Sequence, residues 1–112
     1  MGNSAPSTQK QLELLVSAYQ LGDRESKVRI RGEMEKILSS LLKNQIYQQE
    51  REIRMLENEI KQLSLGQPSS QDIARTNQLR AMVNSVKQDL SYRKKNQKLI
   101  VEMRMKELLN QR

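Results

Sequence analysis

The chain has 112 residues and a net charge of +7, with 36% apolar and only 3% aromatic residues and neither Phe nor Trp. That is too little bulky side chain for a deep globular core, and it fits a long helical packing in which a narrow apolar seam suffices. Cys and His are both absent, which removes disulfides, thiolate chemistry and the ligands that most zinc and copper sites use.

Residues 1–8 are small and polar and read as a flexible arm. Gly2 raises N-myristoylation, but the Ser or Thr that the motif needs four places later is Pro6. Over 9–21 the spacing of Leu12, Leu15, Val16 and Tyr19 predicts a short amphipathic helix, capped by Ser7 or Thr8. A helix this short does not hold itself together in water. It must dock on the long helices or on another copy of the chain. Gly22 is expected to stop it in a left-handed conformation, with Asp23 capping the next helix.

A long helix is predicted over 24–64. Ile46, Ile53 and Ile60 recur every seven residues, with Leu56 and Leu63 three places after the last two, which is a coiled-coil period. Upstream, Met34, Leu38, Leu42 and Ile46 are spaced by four, a stutter that unwinds a left-handed supercoil. Ile37 and Leu41 widen the stripe there. The six residues Met34, Ile37, Leu38, Leu41, Leu42 and Ile46 are therefore expected to form an interface with a partner or a second copy. Gly32 marks a close helix approach or a tolerated weak spot, and Gln49 falls in the seam, where a polar side chain fixes register.

The run Ser64-Leu65-Gly66-Gln67-Pro68 breaks the helix, giving a turn at 65–69. A third helix is predicted over 70–111, capped by Ser69 or Ser70. Its seam runs through Leu79, Met82 or Val83, Val86 and Leu90, turns polar at Arg93 and Gln97, and resumes at Ile100, Val101, Met105 and Leu108. The expected fold is all-α: a short N-terminal helix, then two long helices forming an antiparallel helical hairpin or coiled coil, with 9–112 as one helical domain. In outline this resembles prefoldin-like chaperone subunits and small helical accessory proteins of viruses. The likeness is one of shape alone, carries no residue over and assigns no family.

Residues 44–91 hold six basic and six acidic side chains, and the rest of the chain fourteen and seven. Folding at the break therefore gathers the whole charge excess at the end away from the turn. There Arg29, Arg31, Lys36, Lys43, Arg93, Lys94, Lys95 and Lys98 are the candidate phosphate contacts. With almost no aromatic to stack on bases, backbone recognition of a duplex, above all double-stranded RNA, is favoured over single strands. Glu50, Glu52, Glu57 and Glu59 are expected to pair with Arg51, Arg54 and Lys61 on their own helix rather than form a carboxylate site.

The expected protein is thus non-enzymatic, without cofactor or metal, self-associating as a dimer or tetramer, and bound to nucleic acid at its basic end. Its expected place is the cytoplasm or nucleus. An adaptor docking on a protein partner is the alternative from another class. A peripheral membrane protein is the third.

Overall fold

The structure, a computed structural model, describes residues 7–110. It contains α1 (Thr8–Leu21), α2 (Arg24–Leu63), α3 (Ser70–Lys95) and α4 (Gln97–Asn110), and no strand among the described residues. The all-helical expectation holds. The expected arm falls mostly on residues 1–6 and the myristoylation question on Gly2, outside the described residues. Ser7 and Thr8 already belong to α1: the Ser7 hydroxyl accepts from the Lys10 amide at 3.2 Å, and Thr8 is the first helical residue.

Each boundary has a local cause. Gly22 ends α1, with its amide on the Tyr19 carbonyl at 3.3 Å. It is extended, at φ −84° and ψ 160°, rather than left-handed as the sequence suggested. Glycine suits the tight space: a Cβ there would stand 3.0 Å from Ser26 Cβ and 3.1 Å from the Ala18 carbonyl oxygen, so a side chain would press its neighbours by a few tenths of an ångström. Asp23 then caps α2, its Oδ1 accepting from the Ser26 amide at 2.8 Å. Gly66 takes φ 74°, a conformation that costs a side-chain-bearing residue about 1–2 kcal/mol. Ser69 and Asp72 start α3 with a reciprocal capping box, the two bonds being 3.1 and 3.0 Å.

The helix expected over 70–111 is two helices. Asn96 stands between them at φ −116° and ψ 27°, and both its backbone amide (3.0 Å) and its side-chain Nδ2 (2.8 Å) donate to the Tyr92 carbonyl. An Asn side chain competes with the backbone for helix carbonyls in this way, and the cations Arg93, Lys94 and Lys95 in the last turn suit the negative end of the α3 dipole.

The domain read from the sequence divides into two compact units. Unit 1 contains α1, α2 as far as Leu42, and α4. Its core is Leu12, Ile30, Met34, Leu38, Leu42, Val101, Met105 and Leu108, all buried. On α2 the buried positions advance by four, and at 3.6 residues per turn each step drifts about 40°, so the line turns by about 120° from Ile30 to Leu42. A face that rotates so far serves more than one neighbour, which accounts for a core shared by three helices. Lys27 Nζ over the Tyr19 ring, 5.3 Å from its centroid, adds a clip between α1 and α2.

Unit 2 is Lys43–Asn96. Its buried residues are Ile46, Ile53, Leu79, Val83 and Leu90, with Leu56, Ile60, Leu63, Thr76, Val86 and Arg93 half-buried. On α2 the series 46, 49, 53, 56, 60, 63 and on α3 the series 76, 79, 83, 86, 90, 93 both alternate threes and fours. Such a line drifts only about 20° per seven residues, and one neighbour suffices to cover it. Full burial of a side chain such as Leu79 contributes about 1.5–3 kcal/mol.

Candidate nucleic-acid interface

In unit 1, Arg29, Arg31 and Lys36 of α2 and Lys98 of α4 are exposed. Arg29 and Lys36 are seven residues apart and share a face, whereas Arg31 is about 200° around the helix from Arg29. Lys36 Nζ lies 3.8 Å from Glu33 Oε1, with both side chains more than half exposed, a contact of negligible strength. Arg29 adds a favourable charge to Asp23. The Asp23 carboxyl is held below its ordinary 3.8, first by the Ser26 backbone amide, then by the Ser26 hydroxyl, with Arg29 as a smaller cause.

In unit 2 the expected cluster disperses. Arg93, Lys94 and Lys95 are consecutive and point about 100° apart around α3. Lys94 Nζ is 2.9 Å from Glu50 Oε2, and the half-buried Arg93 reaches Asp89 Oδ2 at 3.6 Å. The residues that do align are on α2. Lys43, Arg54 and Lys61 lie within a sector of about 20°, with Tyr47 beside them, and all four are exposed. The three cations stand about 16 and 10 Å apart along the axis. None of them has an ion pair among the described residues. Arg54 and Lys61 were not among the candidates read from the sequence, because that reading sought contiguous clusters and set aside the net-neutral middle; spacings of eleven and seven were the signal.

Three carboxylates of α2, Glu50 and Glu57 beside this face and Glu59 on the far flank of the seam, pair with α3 and not with their own helix as expected. Glu50 pairs with Lys94 at 2.9 Å, Glu57 with Lys87 at 3.3 Å and Glu59 with Arg75 at 3.4 Å. The charges nearest the Lys43, Arg54 and Lys61 row are thereby compensated, and the row stays cationic. Between the helices Gln49 Nε2 donates to Asp89 Oδ2 at 2.7 Å, the carboxylate that also meets Arg93, while Gln49 Oε1 is buried without a hydrogen-bond partner.

Of the expected partner interface, Met34, Leu38 and Leu42 are core residues of unit 1 and Ile46 of unit 2. Their apolar surface packs inside the chain. Ile37 and Leu41 alone remain half-buried. Two shallow grooves occur in unit 2. One, of about 380 Å³, is lined by Glu57, Ile60, Arg80, Val83 and Asn84. The other, of about 440 Å³, lies along Gln48, Glu52, Met55 and Glu59 of α2. Neither joins a nucleophile to a base. Among the described residues there is no group of three or more carboxylates that could hold a metal, and no helix long and apolar enough to cross a membrane. No family model matches the chain, and no curated protein or solved structure matches it.

Proposed function

We propose that this chain is a non-enzymatic helical protein that binds nucleic acid, duplex RNA foremost, through phosphate contacts from the exposed cationic face of α2. Unit 2 presents that face as an antiparallel coiled coil. The pairing pattern supports the coil: moving seven residues up α2, from Glu50 to Glu57, moves the partner seven residues down α3, from Lys94 to Lys87. Gln49 in the seam, tied to Asp89, fits a device that holds that register.

The observation that carries the binding reading is the uncompensated row of Lys43, Arg54 and Lys61. Exposed cations on one rigid helix face a polyanion without first breaking an internal ion pair, and counterion release supplies the affinity. This moves the centre of the interface from Arg93 and Lys94, which have internal partners, to the α2 row, to which Tyr47 adds one ring.

The test is titration of the purified chain with duplex RNA, duplex DNA and single strands across a salt series. Three neutralised phosphates predict a log–log slope near −2.7, and so an affinity loss of about 40-fold from 50 to 200 mM salt. The variant carrying Lys43→Glu, Arg54→Glu and Lys61→Glu loses the salt-dependent binding and keeps its helicity. Unchanged binding by that variant refutes the reading.

A protein partner is the second reading, and one observation favours it: Ile37 and Leu41 stay half-exposed beside a completed core. An adaptor of this kind loses its partner on Ile37→Asp and Leu41→Asp substitution while its affinity for phosphate is unchanged.

A further inference from the structure

On one flank of unit 2 the ion pairs between α2 and α3 form a ladder. Glu50 meets Lys94 and Glu57 meets Lys87, so the next rung, seven residues further along each helix, sets position 64 against Arg80. That position holds no acid; it is Ser64. Ser64, just past the end of α2, keeps a helical bond from its amide to the Ile60 carbonyl at 3.1 Å, and its hydroxyl donates to the same carbonyl at 2.9 Å. The ladder therefore ends one acid short. Arg80 is exposed and has no ion pair among the described residues.

This flank is the one that carries the α2 row. Around α2, Glu50 and Glu57 lie about 20–60° from Lys43, Arg54 and Lys61, whereas Glu59 is about 140–160° away. On α3, Arg80, Lys87 and Lys94 repeat every seven residues and fall within a sector of about 40°. The groove of about 380 Å³ opens on the same side, with Glu57 and Ile60 of α2 facing Arg80, Val83 and Asn84 of α3. The Asn84 side-chain amide has no hydrogen-bond partner among the described residues. Level with Ser64, Arg80 stands about 4.5 Å beyond Lys61 along the axis, so it lengthens the row instead of founding a second site.

We infer that the phosphate-binding surface crosses from α2 onto α3 beside the turn, with Arg80 as its fourth cation and the Asn84 amide as a hydrogen-bond donor at the same groove. This rests on the reading of the α2 row as the phosphate contact and deepens it. Lys87 and Lys94 are held by Glu57 and Glu50, so the crossing is confined to the one rung that lacks an acid. A backbone phosphate supplies there the anion that Ser64 does not, and the planar guanidinium suits it with two parallel N–H donors. From Lys43 to the level of Arg80 the line of cations runs about 30 Å, which fits a polymeric anion and not a single small one.

Titration with duplex RNA from 50 to 200 mM salt compares the wild-type chain with Arg80→Gln, circular dichroism showing equal helicity. Arg75→Gln is the control of equal charge, since Arg75 pairs with Glu59 on the opposite flank at 3.4 Å. The α2 row alone gives a log–log slope near −2.7, and Arg80 steepens it to about −3.6. Over that salt range the wild-type chain then loses affinity about 150-fold and Arg80→Gln about 40-fold. Arg75→Gln keeps the wild-type slope, and Ser64→Glu, which supplies the missing acid, lowers it as Arg80→Gln does. A slope that Arg80→Gln leaves unchanged, in a chain whose binding the triple substitution on α2 abolishes, overturns this inference alone. Equal losses from Arg80→Gln and Arg75→Gln overturn it as an effect of net charge. Absence of salt-dependent binding, or binding that survives the triple substitution, overturns both readings together.

Discussion

Gln49→Leu is expected to stabilise the protein. The wild-type amide is turned by its 2.7 Å bond to Asp89, which leaves Oε1 buried without a partner. An orphan acceptor in that position costs about 1–3 kcal/mol. Leucine removes that cost and adds apolar contact in line with Ile46 and Ile53. It forfeits a hydrogen bond to a carboxylate that is half exposed and keeps Arg93 at 3.6 Å, a loss of about 1.5 kcal/mol, the low end for a charged acceptor. With the apolar contact added, the balance is a gain of about 1 kcal/mol, or a rise in Tm of roughly 4–6 °C at this chain length. Thermal and urea unfolding followed by circular dichroism measure it. On the proposed coiled-coil reading the same substitution removes the seam's polar residue, and the mass by light scattering is expected to become heterogeneous as registers mix. A fall in Tm of more than about 2 °C would mean that the Oε1 acceptor has a partner, and the reasoning would fail.

Gly32→Ala should also raise stability, by about 1 kcal/mol, because Gly32 is exposed in mid-helix and a Cβ there meets nothing within 4 Å; a loss of stability in urea unfolding would show that another surface packs against it. For Asp23 the folded-state carboxyl lies below its ordinary value of 3.8, so its support of the α2 start is present above that value and disappears as pH falls through the depressed one. Hydrogen exchange at the Ser26 and Lys27 amides should accelerate in that acid window after correction for intrinsic rates, and Asp23→Ala should show the faster exchange already at pH 7.

What could be read from the sequence was whatever depended on neighbours along the chain. Asp23, Ser69 with Asp72, and the Gly66 break are encoded within four residues of where they act, and each stands where local chemistry puts it. The break at Asn96 contains neither Pro nor Gly, and depends on one side chain winning a carbonyl from the backbone. The polar stretch at Arg93 and Gln97 was visible, but it read as a mismatch in a continuous helix. The seam Met34, Leu38, Leu42 was legible as a covered face, and the structure buries it within the chain; periodicity shows that a face is covered without showing by what. For the basic residues the sequence hid their partners: Lys94 pairs with Glu50, 44 residues away, a contact invisible until α2 and α3 lie together.

The cross-helix contacts in unit 2 have a consequence for the order of folding. Arg75 and Glu59 are 16 residues apart in sequence, Asp89 and Gln49 40 apart, and Lys94 and Glu50 44 apart. Closing the first loop from the unfolded chain is cheaper than closing the last by about 0.9 kcal/mol, and once it has closed each later contact adds only a short segment. Pairing that starts beside Gly66 and advances outward never meets the full entropy of the long loop, so unit 2 should form in the fast regime of chains dominated by progressive, local closure.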